Sequence, residues 1–106
     1  MRINEMAFEI HKNAVEHGWW DEDRSVGDII ALCHSELSEA LEAYRNGDPM
    51  VYIDDDKPEG IAVEMVDCII RILDYLGKEL IDVEELIRLK HEYNKGRPYK
   101  HGGKRL

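Results

Sequence analysis

The chain has 106 residues, with 14 Lys and Arg against 23 Asp and Glu, so its formal charge is −9. This length allows one domain, residues 1–106, with one modest core. No stretch reaches the roughly 18 apolar residues of a membrane span. The first ten residues have no apolar signal core, and two cysteines make no disulfide framework. We therefore expect a cytoplasmic domain with no membrane partner.

Charge is divided unevenly along the chain. Residues 86–106 hold seven basic residues and one acidic residue, a charge of +6, whereas residues 1–85 hold seven basic and 22 acidic residues, a charge of −15. An acidic body disfavours binding to a nucleic acid polymer. An acidic body with a basic tail, at about 96–106, instead suits a divalent cation that carries a phosphate. The plain alternative is that acidic charge keeps the protein in solution and the tail is disordered.

Apolar spacing and capping residues predict two helices in the first half of the chain. The first runs from about Ile3 to His17, and Gly18 supplies its stop. Ser25 and Asp28 have the spacing of a capping box and open the second helix, which ends before Gly47.

The second half predicts a loop and two more helices. Asp48 to Lys57 is interpreted as a polar loop, and a third helix begins near Pro58 and runs to about Leu76, with Gly77 after it. Asp82 caps a fourth helix that continues to about Lys95. The third helix is apolar nearly all round, which is typical of a helix that is central or covered by a partner chain. We therefore expect an all-α fold, a four-helix bundle-like single domain, which is oligomeric if a partner chain covers the third helix.

Four carboxylates interrupt the apolar faces of the second and third helices. Glu36 and Glu39 are three residues apart on one helix, and Glu64 and Asp67 repeat this spacing on the other. If the two helices pack antiparallel, the two pairs face each other across the seam. The alternative is that these are solvated faces, which are common in an acidic chain.

Electrostatic repulsion makes such a cluster unstable without counter-charge. Two carboxylates about 6 Å apart repel by roughly 3 kcal/mol at an effective dielectric constant of 20. The six pairs among four carboxylates therefore cost on the order of 15 kcal/mol, and a small domain is stable by only about 5–15 kcal/mol. Oxygen-only ligands suit Mg²⁺, or Mn²⁺, and disfavour zinc.

The spacing of these carboxylates resembles the signature of a known family. Glu36-x-x-Glu39, 24 intervening residues and Glu64-x-x-Asp67 is similar to the pattern of the all-α nucleotide pyrophosphohydrolases, the MazG-like family. HSELSEALEAYR resembles the first motif helix of that family and VEMVDCIIRILDYLG the second, and KHEYNKGRPYKHGGKRL is similar to the tail of its short members. The resemblance covers about residues 25–105.

The resemblance implies a Mg²⁺-dependent hydrolase that converts a nucleoside triphosphate to the monophosphate and pyrophosphate. It implies that Glu36, Glu39, Glu64 and Asp67 are the metal ligands and that the chain forms a homodimer or homotetramer. One carboxylate would hold and deprotonate the attacking water. Glu39 is our first choice for this base and Glu36 the second.

The basic end of the chain contains the candidate substrate-binding residues. The resemblance implies that Lys90, Asn94 and Arg97 contact substrate phosphates, and Lys95 lies beside them. Trp20 is a candidate for stacking on a nucleobase, because base–indole stacking is strong and tolerates every base. The neighbouring Trp19 offers the same stacking chemistry, and the alternative is that one or both indoles cover the end of the bundle.

Two other functions fit the same pattern. A pyrophosphatase acting on phosphoribosyl-ATP shares the helical fold and the acidic motifs. A non-catalytic helical interaction module would instead keep the acidic pairs on its surface and bury the third helix in a partner.

Overall fold

The computed structural model describes residues 2–98, so the predicted tail beyond Pro98 lies outside the described residues. This part of the chain is mostly helical and contains one hairpin. The elements are α1 (Ile3–Glu16), α2 (Val26–Arg45), β1 (Tyr52–Asp54), β2 (Lys57–Glu59), α3 (Ile61–Lys78) and α4 (Val83–Lys95). Among residues 2–98, no helix has both the length and the apolar character that crossing a bilayer requires.

The predicted helix caps are confirmed. The Ser25 side chain accepts from the Asp28 amide at 3.1 Å, and the Asp28 carboxylate accepts from the Ser25 amide at 3.0 Å. Asp82 caps α4 by accepting from the amide of Glu85 at 3.1 Å. Each cap satisfies amide groups that the first helical turn leaves without a partner.

The predicted loop at 48–57 is wrong in its second half, because strands β1 and β2 pair there. They are antiparallel and joined by Asp55 and Asp56, whose φ angles are 51° and 69°. Asp tolerates this left-handed conformation, which a two-residue hairpin turn requires. Pro58 lies in β2 rather than at a helix start. A two-stranded sheet leaves one side of each strand unpaired, so the missing N–H is tolerated.

One glycine opens α3, and a second lies inside it where α1 packs closely. Gly60, with φ 123°, is its N-cap, and a Cβ there would lie 2.4 Å from the carbonyl oxygen of Met50. Gly77, predicted to lie beyond the helix, is inside it. A Cβ on Gly77 would lie 2.7 Å from the carbonyl oxygen of Ala7, so this glycine allows α1 and α3 to approach closely.

Helix α3 packs against both α1 and α2. One buried cluster joins Ala7, Leu73 and Val83, and a second joins Ile29, Cys33 and Cys68. The two cysteines are therefore buried in the core, and both are free. Cys33 packs with Cys68, and Glu39, which comes later on α2, lies near Glu64, which comes earlier on α3. Helices α2 and α3 are thus antiparallel.

Helix α4 is held mainly at its first turn. The Asn4 side chain accepts from the amides of Val83 and Glu84 at 2.9 and 3.2 Å and donates to Asp82 at 2.8 Å. Farther along, the apolar residues of α4 are about half exposed: Leu86, Ile87 and Leu89. An apolar groove of about 550 Å³ separates this part of α4 from α3.

Candidate metal centre and adjoining cleft

Three of the four predicted carboxylates come together between α2 and α3. Glu36, Glu64 and Asp67 each offer an oxygen, and these three oxygens lie within 4.8 Å of one another. The Glu36 side chain is only 12% exposed, and Glu64 and Asp67 are half-buried. The antiparallel packing of two helices with the same three-residue spacing produces this convergence.

Glu39 lies at the edge of this cluster. It is exposed, but its carboxylate is near enough to Glu64 to contribute to raising the pKa of that residue. Three of the four predicted ligands therefore form the cluster, and Glu39 lies beside Glu64 without being one of the three.

Burial and mutual repulsion disfavour ionisation of this cluster. Burial raises the pKa of Glu64, and the charges of Asp67, Glu39 and Glu36 raise it further. Burial and the charge of Glu36 raise the pKa of Asp67, although Glu64 (by hydrogen bonding), Arg71 and Lys57 act in the opposite direction. Binding protons or a cation at this cluster relieves the repulsion and therefore stabilises the folded protein.

The donor set and spacing fit a small divalent cation. Carboxylate oxygens are the ligands that Mg²⁺ and Mn²⁺ prefer. Two oxygens that each lie about 2.1 Å from Mg²⁺ are about 3–4 Å apart in an octahedron. Small side-chain rotations would therefore bring the three oxygens to that spacing.

Arg71 joins the cluster to the adjoining cleft. Its Nε donates to Glu36 Oε1 at 2.7 Å, and the Arg71 side chain is 29% exposed. This ion pair holds one oxygen of Glu36 in a fixed position, whereas among residues 2–98 Glu39 has no ion-pair partner.

We expect Glu36→Gln to lower stability. The change leaves Arg71 without its carboxylate partner, and a hydrogen bond to a charged group contributes about 1.5–3 kcal/mol when well shielded. With partial exposure, a loss of about 1–2 kcal/mol corresponds to a fall in Tm of roughly 5–10 °C. Circular dichroism melting without divalent cations measures the fall, and an unchanged Tm would show that this ion pair contributes no more than the repulsion that Glu36 exerts on Glu64 and Asp67.

The cleft beside the carboxylates has a volume of about 430 Å³. Glu36, Asp67 and Arg71 lie on one side of it, and Trp19 and Asp74 also line it. Residues from α1 and α3 complete the lining: Ile10, Asn13, Ala14 and Ile70. The cleft thus combines negative, positive and aromatic groups next to the candidate metal centre.

Two arginines surround the indole of Trp19. The guanidinium carbons of Arg24 and Arg71 lie 3.7 and 4.8 Å from the ring centroid, and Arg24 Nε also donates to the Trp19 carbonyl at 3.0 Å. Cation–π contacts of this kind hold the ring in place.

Trp20 is positioned differently from Trp19. Its Nε1 donates to Asp74 Oδ1 at 2.9 Å, and its ring packs against the cluster of Ile29, Cys33 and Cys68. The structure therefore places the indole of Trp19, rather than that of Trp20, at the cleft.

The predicted substrate-binding residues of the basic end lie away from this cleft within one chain. Lys90 and Asn94 line the apolar groove between α3 and α4. Lys95 pairs with Glu92 at 3.0 Å, and the guanidinium of Arg97 lies 5.9 Å from the ring centroid of Tyr93. The single chain does not bring these four residues to the carboxylates.

Sequence reasoning missed Arg24 and Asp74 as cleft residues, and it preferred Trp20 to Trp19. A signal for Asp74 was present, because Asp67, Arg71 and Asp74 follow one another at four and three residues along a mostly apolar helix. That spacing places them on one face. Arg24 and Trp19 lie in a connection without periodicity, so spacing could not have located them.

No protein-family model, curated protein or solved structure matches this chain. Its function is therefore inferred from the geometry and chemistry of the site.

Proposed function

We propose that the protein is a Mg²⁺-dependent nucleotide pyrophosphohydrolase, which converts a nucleoside triphosphate and water to the monophosphate and pyrophosphate. The observation that carries this proposal is the convergence of Glu36, Glu64 and Asp67 within 4.8 Å. They lie at the edge of a cleft that also contains a guanidinium group and an indole. A triphosphate, its sugar and its base offer a matching set of groups.

Glu36, Glu39, Glu64 and Asp67 would hold the cation, with Mn²⁺ as a substitute for Mg²⁺. When bound, the cation would neutralise charge on the triphosphate, which is the main requirement of phosphoryl transfer. The raised pKa values of Glu64 and Asp67 support this assignment, since a cation relieves the repulsion that raises them.

Glu39 is the best candidate for the general base. Glu36 already accepts a hydrogen bond from Arg71, whereas Glu39 is exposed at the solvent side of the cluster. In the reaction, water adds to one phosphorus atom of the α–β anhydride, its proton passes to Glu39, and the bridging P–O bond breaks to release pyrophosphate. Positioned general bases contribute about 10²–10⁴-fold.

Arg71 and Trp19 would bind other parts of the nucleotide. Arg71 lies between the carboxylates and the rest of the cleft, where its guanidinium could meet a phosphate oxygen. The guanidinium groups of Arg24 and Arg71 contact the Trp19 ring, so a base that stacks on this indole would take the place of one of them.

A homodimer or homotetramer is part of this proposal. Leu86, Ile87 and Leu89 are about half exposed on α4, and Ile69 and Ile72 on the facing surface of α3 are 52% and 42% exposed. A second copy that covers this surface would remove apolar area from water. Such a copy could also bring Lys90, Asn94, Lys95 and Arg97 to the neighbouring cleft. Sedimentation velocity measures the number of chains.

A nucleotide panel with product identification tests the activity. We expect cleavage of nucleoside triphosphates to the monophosphate and pyrophosphate, rather than to the diphosphate and phosphate, and weaker cleavage of phosphoribosyl-ATP. Phosphorus NMR of the products distinguishes these outcomes. Preference for phosphoribosyl-ATP would favour the related pyrophosphatase. Failure to cleave any nucleotide would favour the interaction module, which the exposed apolar face of α4 also suits.

A further inference from the structure

Asp74 is a buried carboxylate that the proposed hydrolysis does not use. Its side chain is 9% exposed, and it lies on α3 at the cleft. Two groups approach the same oxygen, Oδ1: His11 Nδ1 at 2.8 Å and Trp20 Nε1 at 2.9 Å. The Trp20 indole N–H can only donate, and His11 donates to the same oxygen in the tautomer that carries its proton on Nδ1.

The second oxygen of Asp74 remains available. Within residues 2–98, Oδ2 accepts no hydrogen bond. Every fully buried polar side-chain atom in this part of the chain has a hydrogen-bond partner, so Oδ2 is not fully buried and is reached by solvent. The cavity that Asp74 lines is the cleft. A carboxylate fixed on one side by two donors and open on the other is a rigid hydrogen-bond acceptor.

Asp74 lies farther along α3 than the carboxylates, at whose end of the cleft the proposed function places the phosphates. Asp67 and Asp74 are seven residues apart on one face, about 10 Å along the helix axis, and Arg71 lies between them. This separation is of the order of the span from the phosphates to the far edge of the base in a nucleotide. Trp19 lines the same cleft.

We propose that Asp74 selects nucleotides whose base carries an exocyclic amino group, an inference that rests on the proposed nucleotide-binding function. An amino group on cytosine or adenine donates a hydrogen bond to Oδ2. The carbonyl oxygen at the same place in uracil or hypoxanthine has no proton to donate and meets a negative charge. A donor–acceptor mismatch at a shielded polar group is strongly unfavourable.

Two nucleotide pairs isolate this contact, because CTP and UTP, and likewise ATP and ITP, differ at the exocyclic group that would face Asp74. We expect the wild-type protein to have a kcat/KM about tenfold higher for CTP than for UTP and for ATP than for ITP, since a hydrogen bond to a charged group has about this effect. Wild-type ratios near one would overturn the proposal without any variant.

Asp74→Asn gives a second test. Its amide oxygen can still accept from His11 and Trp20, while its NH₂ group faces the cleft and donates to a carbonyl. Both ratios should then fall to one or below. The matched control is Glu79→Gln, an exposed carboxylate at the end of the same helix, which should keep the wild-type ratios. A merely structural role of Asp74 would lower activity on all four nucleotides equally and would contradict the proposal.

Binding measurements separate this inference from the proposed function. If none of the four triphosphates is cleaved, the proposed hydrolysis fails, and titration calorimetry of CMP against UMP still decides the role of Asp74. Tighter binding of CMP that is lost in Asp74→Asn supports the contact, and equal binding of the two monophosphates overturns it.

Discussion

Replacing Asp67 by Asn is expected to reduce turnover at least about tenfold while leaving Tm unchanged or raised, and Glu39→Gln should behave in the same way. Asp67 is one of the three clustered carboxylates, so its loss removes a charged oxygen from the candidate cation site. For Glu39 the loss is that of the proposed base. Steady-state release of pyrophosphate measures the turnover of both variants.

The difference in Tm between Asp67→Asn and the wild type should depend on pH, in a direction that the pKa shift of Asp67 determines. Burial and the charge of Glu36 raise the pKa of Asp67 in the folded chain above its usual 3.8. The folded protein therefore binds this proton more tightly than the unfolded chain, and stability from this group is lost as pH rises through the raised pKa. Asn has no such loss. Without divalent cations, the Tm of the variant should exceed that of the wild type increasingly from about pH 4 towards neutrality.

Glu42→Gln is the matched control for these variants. Glu42 lies on α2 three residues after Glu39. Its side chain is 63% exposed, and its Oε2 lies 3.9 Å from Nη1 of Arg45. A surface pair of this kind contributes about 0–1 kcal/mol, so activity and Tm should stay close to wild type. Full turnover in Asp67→Asn, or a Tm well below wild type at neutral pH, would contradict the proposed site.

Chelation with EDTA should abolish hydrolysis, and excess Mg²⁺ should restore it. The same cation should stabilise the fold, because it binds the native cluster and not the unfolded chain. At a free concentration 100 times Kd the gain is about 2.7 kcal/mol, which corresponds to roughly 10–20 °C in Tm for a chain of this size. Thermal melting over a Mg²⁺ titration measures this gain.

General screening of acidic charge is the competing explanation for such a gain. KCl at matched ionic strength controls for it, and Asp67→Asn should respond much less to Mg²⁺ than the wild type. Equal stabilisation by KCl, or equal Mg²⁺ stabilisation of wild type and variant, would show that the four carboxylates are an ordinary solvated face. Activity that persists in EDTA would remove the metal from the proposal.

The helical part of the fold could be predicted because its signals are local. Ser25 with Asp28, and Asp82 before α4, form caps that depend on three or four consecutive residues. The hairpin was missed because Asp55 and Asp56 are typical of both loops and tight turns. Gly77 was misread as a helix stop because its reason is a contact with Ala7, seventy residues earlier in the chain.

The carboxylate cluster could also be anticipated, since two equal spacings on antiparallel helices bring their pairs together. The pairing of Arg71 with Glu36 could not, because it depends on how the two helices are rotated about their axes. The same applies to Trp19 and Trp20. Adjacent residues in a connection face different surroundings, and only the packing of α1, α2 and α3 decides which indole reaches the cleft.

The attachment of α4 through Asn4 has a mechanical consequence. Its 13 residues span about 20 Å, so a tilt of ten degrees about the pivot at Asn4 displaces the far end by about 3 Å. The first turn of α4 is therefore fixed by Asn4, and its far end can shift. The location of Lys90, Asn94 and Lys95 thus depends more on the contacts of the outer part of α4 than on the core that carries the carboxylates.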